Sequence, residues 1–173
     1  MHNLILIGLP ASGKTSAGRA LARRLDIPFY DCDEAIEAAQ GQSISAIFSQ
    51  RGEAFFRDAE SRMLEELCRR ERCVIATGGG AVLRPENRAI LAERGYVVYL
   101  QVTADEAASR ISDVSTRPLF RDLDTARATI EARLPLYEDV ADAVVDTSGK
   151  SVAAIAREVR GVLEREGILW QRK

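Results

Sequence analysis

The most specific chemistry in this chain sits in one short stretch near the N-terminus. Gly8-Leu9-Pro10-Ala11-Ser12-Gly13-Lys14-Thr15 reads G-x-x-x-x-G-K-T, a spacing suited to cradling a polyphosphate. Backbone N–H groups of such a loop, and of the helix it opens, are unpaired and converge on one spot. The helix dipole adds partial positive charge there, so backbone alone can hold an anion. Lys14 would reach the β- and γ-phosphates of ATP or GTP, and the Thr15 hydroxyl would ligate Mg²⁺. Gly8, Ala11, Ser12, Gly13, Lys14, Thr15 and Ser16 are therefore the candidate nucleotide-binding residues. The competing reading is a glycine turn with no ligand, but strand, spacing, Lys and Thr all agree.

Two elements must flank such a loop, and both are legible. The apolar run Asn3-Leu4-Ile5-Leu6-Ile7 suits one buried strand. After the loop, Ala17, Leu21 and Leu25 recur at helical spacing between Arg19, Arg23 and Arg24. A second strand, Phe29-Tyr30-Asp31, leads into Asp31-Cys32-Asp33. Ligands of open parallel sheets sit at strand carboxyl ends, and alternation along an extended segment would point both carboxylates the same way. The plainer alternative is that Asp33 N-caps a helix over 34–39.

Further along, a short helix from Ser43 is ended by Arg51-Gly52, and a longer one runs over 53–72. Within it Arg57 and Glu60 stand three apart on one face. A surface pair would mean little; alternatively Glu60 holds Arg57 in one rotamer so that Arg57 can grip an anion. Cys73-Val74-Ile75-Ala76-Thr77 is another buried strand, ending in Gly78-Gly79-Gly80. Three consecutive glycines are costly to order, which suggests backbone that must approach a ligand closely. A helix from Pro85 to Gly95, a strand over 96–102 and a helix over 104–111 follow. Residues 112–122 show no periodicity and read as a lid. Helix 125–136 carries Arg133, four residues before Tyr137; strand 141–146 and a helix beyond Lys150 close the chain. Strands and helices alternate, giving one α/β domain, with five parallel strands and helices on both faces.

Composition excludes several classes. The chain has 173 residues, 46% hydrophobic and 29% charged, with a net charge of −2 and a sequence pI of about 5.6. That argues against a nucleic-acid footprint. The only lysines are Lys14, Lys150 and Lys173, so Lys14 is not one of a surface crowd. The single histidine, His2, rules out a His-based site. Cys32, Cys68 and Cys73 lack metal-ligand spacing and suit a reducing cytosol. There is no apolar run of about 18 residues for a membrane span, and no cationic leader with a cleavage site. The expectation is a cytoplasmic monomer with no nucleic-acid or membrane partner.

Taken together, the phosphate loop, Asp31-Cys32-Asp33, Phe56-Arg57-Asp58-Ala59-Glu60, Gly78-Gly79-Gly80, Arg117-Pro118-Leu119, and Arg133 with Leu136-Tyr137 resemble shikimate kinases. The resemblance spans about 3–163 of a single domain, 1–173. It implies a P-loop kinase fold with strand order 2-3-1-4-5, an acceptor subregion over about 33–60 and a lid over about 112–124. It implies ATP and Mg²⁺, with the γ-phosphoryl group passing to the 3-hydroxyl of shikimate. Asp33 then matches the aspartate on the acceptor hydroxyls, and Asp31 the one that holds Mg²⁺ through water. Arg57 and Arg133 match the arginines on the carboxylate, while Gly78, Gly79 and Gly80 form the backbone part of that subsite. Lys14, Asp33 and Arg117 are the catalytic candidates, Arg117 closing from the lid. Arg110 matches a nucleotide-side arginine, and Ser148 lies where the adenine loop belongs.

Ala11 departs from the glycine usual in these relatives, costing about 1 kcal/mol if the position needs positive φ. The lid is also less basic than expected, with Asp113 and Asp122 near Arg117. Two other readings compete. A related hydroxy-acid kinase, such as one for gluconate, would need a different acceptor pocket. A non-catalytic ligand-sensing domain should lose Lys14, Asp33 or Arg117, and all three are present.

Overall fold

Period-two alternation in the central strands explains the whole architecture of this computed structural model, which describes residues 3–110 and 123–168. Strand β1 (Asn3–Ile7) is buried along its full length. Ile5 and Ile7 face one apolar cluster, while Leu4 and Leu6 face another. In β4 (Gly95–Gln101), Val97 and Tyr99 join the first cluster, Val98 and Leu100 the second. A strand covered on both faces must be apolar throughout, and that is how these segments read.

The sheet is parallel, with order β2-β3-β1-β4-β5. β2 is Phe29–Asp31, β3 is Val74–Ala76 and β5 is Ala143–Asp146. Helices α1 (Lys14–Leu25) and α7 (Val152–Arg165) cover the face of Leu4 and Leu6. Helices α2 (Cys32–Gln40), α3 (Ile44–Cys68), α4 (Pro85–Arg94), α5 (Ala104–Arg110) and α6 (Leu123–Val140) bury residues on the other. The expected strand order and two-sided cover are therefore present. After β1 the chain leaves on the α1 face, and after β3 it leaves on the α4 face. A crevice opens between two strand ends whose connections diverge in this way.

Several boundaries differ from the sequence reading, each for a visible reason. Helix α2 begins at Cys32, and its cap is Asp31, not Asp33: Asp31 Oδ1 accepts from the N–H groups of Asp33 and Glu34 at 3.0 and 3.2 Å. Strand alternation therefore does not align the two aspartates, because the helix has already begun. Helix α3 keeps the expected break: its two helices are joined across Gly52, whose φ of 81° and ψ of 172° interrupt the helical path. The bend lets Phe48 pack on Phe56, ring centroids 4.7 Å apart. It ends at Cys68 rather than 72. Helix α6 runs through Pro135 to Val140, past the expected end at 136, because Tyr137 and Val140 are still buried in the core. β5 starts two residues later than expected, at Ala143.

Candidate active site

The loop after β1 wraps its own lysine. Lys14 opens α1, and its Nζ donates to the carbonyls of Gly8 and Leu9 at 2.9 and 2.7 Å. Gly8 and Gly13 have φ of 147° and 90°, and Ala11 has φ of 61°. The position that the sequence flagged does require a left-handed backbone, so Ala11 carries that strain, about 1 kcal/mol. Ser12 is fully buried inside the loop.

A cleft of about 310 Å³ opens above the loop, lined by Pro10, Ala11, Gly13, Lys14, Thr15, Ser16, Asp31, Asp33, Thr77 and Gly79. Three strand ends contribute, from β1, β2 and β3. Thr15 Oγ1 donates to Asp31 Oδ2 at 2.6 Å, so the two oxygen groups expected at a metal lie together. Among the described residues no cluster of three or more His, Cys, Asp or Glu side chains could hold a metal ion. A hydroxyl and one carboxylate fit Mg²⁺, which keeps water and takes most of its ligands from phosphates.

Behind this cleft lies a charged cluster. Arg57 Nη1 meets Glu60 Oε2 at 2.6 Å, and Arg57 Nε approaches Glu53 Oε1 at 3.4 Å. The pair is buried, so the surface-pair reading of Arg57 and Glu60 fails. Arg133 is 3% exposed. Burial pushes its pKa down, and the nearby Arg57 charge adds to that, while Tyr137 and Glu60 pull the other way. Burial likewise raises Glu60, against the pull of Arg57, Arg133 and Arg84. One Glu60 oxygen is paired, but Oε1 is buried without a hydrogen-bond partner among the described residues, so the direction is upward.

The three glycines leave room for their neighbours in the fold. None of them has positive φ. A Cβ on Gly78 would lie 2.7 Å from both Asp33 Oδ1 and Glu60 Oε1. One on Gly79 would strike the Pro10 ring at 2.7 Å, and one on Gly80 would overlap the Arg57 guanidinium. The glycines make room for the protein's own charged groups and for the phosphate loop. The sequence held that signal, but spacing could not show which side chains would fill the space. Tyr137 was also missed as a site residue: its hydroxyl donates to the Gly79 carbonyl.

Other candidates lie further out. Ser148 follows β5, its N–H donating to Asp146 Oδ1 at 2.9 Å, and it does not line the cleft. Arg110 ends α5, its side chain lying outside the described part. Arg117 and the lid segment 112–122 lie outside the described residues altogether.

A family model for shikimate kinase matches residues 10–164. The chain belongs to the shikimate kinase family. It is 48% identical over 170 residues to a shikimate kinase of Burkholderia pseudomallei, a match covering 96% of this chain and 92% of that protein. The solved shikimate kinase from Acinetobacter baumannii in complex with shikimate has a TM-score of 0.92 and 34% identity, covering 96% of this chain and 94% of that one. The shikimate kinase from Aquifex aeolicus has a TM-score of 0.87 and 35% identity, with coverage of 97% and 99%. The chain is thus a phosphotransferase with the P-loop kinase fold of this family. No helix among the described residues is long and apolar enough to cross a membrane.

Proposed function

We propose that this chain transfers the γ-phosphoryl group of ATP to the 3-hydroxyl of shikimate. One observation carries the acceptor assignment. Asp33 lines the same cleft as Lys14 and Thr15, and its Oδ1 faces Gly78 from the side on which Glu60 holds Arg57. A hydroxyl held by Asp33 would therefore meet the phosphates, while a carboxylate on the same molecule would meet arginine.

Phosphoryl transfer needs positioning and charge neutralisation more than covalent help. Lys14 is placed by the loop carbonyls to turn its ammonium onto the β- and γ-phosphates. Thr15 and Asp31 would hold Mg²⁺, which when bound offsets charge on the phosphate oxygens. Asp33 orients the acceptor hydroxyl and takes its proton as the bond to phosphorus forms. Arg57 and Arg133 grip the acceptor carboxylate, for which guanidinium forks are the best match. Arg117 closes over the phosphates from the lid, Arg110 stands on the nucleotide side and Ser148 beside the adenine. The enzyme acts as a cytoplasmic monomer, and its three buried free cysteines suit a reducing compartment.

A coupled ADP-release assay with ATP and Mg²⁺ tests the reading, offering shikimate, gluconate and AMP separately. Turnover is expected with shikimate alone. Comparable ADP release with gluconate or AMP would remove the acceptor assignment, and none with any would remove the kinase reading.

A further inference from the structure

Like charges pose a problem for the acceptor subsite. Arg57 and Arg133 come from α3 and α6 and lie close enough that the Arg57 charge disfavours the Arg133 cation. Arg57 is anchored by Glu60 and lies against Gly80. The setting of Arg133 on α6 therefore bears on the spacing of the pair. Pro135 falls between Arg133 and Tyr137 and deprives the helix of one backbone hydrogen bond there.

Tyr137 supplies the anchor. It follows Arg133 by one turn, where i and i+4 side chains meet. Its ring is fully buried and stacks on Tyr99, centroids 5.1 Å apart and planes 22° apart. The hydroxyl donates to the Gly79 carbonyl, and its oxygen stands beside the Arg133 guanidinium one helical turn away, within reach of its N–H groups. Chemistry fixes both directions. A guanidinium can only donate and a carbonyl can only accept. The Tyr137 oxygen therefore accepts from Arg133 while its proton goes to Gly79, and each bond polarises the other. Burial pushes the phenol well above its ordinary pKa, so the proton stays in place at neutral pH.

We propose that Tyr137 is a positioning residue for the acceptor: its hydroxyl ties Arg133 to the glycine loop and so sets the spacing of the two arginines. Arg57 is referenced to Gly80 and Arg133 to Gly79, adjacent residues of one loop. The inference rests on the acceptor reading above, since it assigns the spacing to a carboxylate.

Tyr137→Phe keeps the ring and the stack and removes only the hydroxyl. The KM for shikimate should rise about tenfold, as loss of a hydrogen bond to a charged group does, with kcat and the KM for ATP within about twofold. An acceptor analogue lacking the carboxylate should be used equally by both proteins. Tyr99→Phe is the control: it removes a buried hydroxyl with no hydrogen-bond partner among the described residues and should leave every kinetic constant unchanged. A lowered melting temperature with an unchanged shikimate KM would show a structural role only and overturn the proposal. So would an equal rise in the KM for ATP, or an equal effect on the analogue. If the native protein fails to use shikimate while releasing ADP with another acceptor, the acceptor reading falls first and takes this inference with it.

Discussion

Arg57 and Glu60 form an ion pair almost sealed from solvent, Nη1 to Oε2 at 2.6 Å, with side-chain exposures of 10% and 1%. Removing one partner of such a pair strands the other charge, which costs far more than the pair contributes. Arg57→Ala should therefore destabilise the fold by about 3–5 kcal/mol, besides weakening shikimate binding by about 2–5 kcal/mol. Adding Glu60→Gln to Arg57→Ala should recover at least about 1 kcal/mol of stability, because the stranded charge is gone. It should recover none of the binding. Urea denaturation and calorimetric titration of both variants separate the two effects. Recovery of binding in the double variant would show that Arg57 does not touch the acceptor.

The same pair predicts a pH dependence. Burial raises the Glu60 pKa above the ordinary carboxylate range. Between that range and the raised native value, the folded protein holds a proton that the unfolded chain has lost, so stability from this group falls as pH rises. Ionised Glu60 is nonetheless what orients Arg57. Acidification through this window should thus add stability and weaken shikimate binding together. Subtracting the Glu60→Gln profile from the native one isolates the effect. A flat difference in both quantities would mean that Glu60 titrates normally.

Asp31 serves two partners at once, the Thr15 hydroxyl and the first turn of α2. Asp31→Asn retains an oxygen for the cap but loses the charge and the second oxygen that accepts from Thr15. Stability should change by less than about 0.5 kcal/mol, since Asn caps as well as Asp. The Mg²⁺ concentration for half-maximal rate should rise several-fold while the KM for shikimate holds steady. Asp31→Ala should add a loss of about 1 kcal/mol from the missing cap. An unchanged Mg²⁺ requirement in the Asn variant would remove Asp31 from the metal site.

Ala11 sits at a φ of 61°, where an L-residue with a Cβ is strained. Ala11→Gly should stabilise the protein by about 1 kcal/mol, measurable as a shift in the urea midpoint at constant slope. A destabilised variant would show that chain entropy outweighs the backbone strain here.

The sequence by itself determined the frame of this protein. Continuously apolar strands, helices with a period near four and a G-x-x-x-x-G-K-T loop between them allow few arrangements. A buried parallel sheet with a nucleotide loop at its carboxyl edge follows from local propensity and burial alone. Arg57, Glu60 and Arg133 were likewise visible as candidates, because charged residues at fixed helical spacing can be read from the chain.

Tertiary packing decided what those residues do to one another. Whether Arg57 and Glu60 pair in water or in the core depends on α3 lying under the glycine loop. Gly78 and Gly80 read in sequence as backbone that must be approached closely, and the space they leave is occupied by Asp33, Glu60 and Arg57. Asp31 rather than Asp33 caps α2 because the helix begins at Cys32, directly after β2, with no extended residue between. The Tyr137 hydroxyl meets a carbonyl 58 residues away in the chain, a contact that no spacing rule reaches. Local sequence fixes which elements form, since propensity and periodicity act over a few residues. Side-chain partners across elements are settled only when the sheet and its two helical layers close around them.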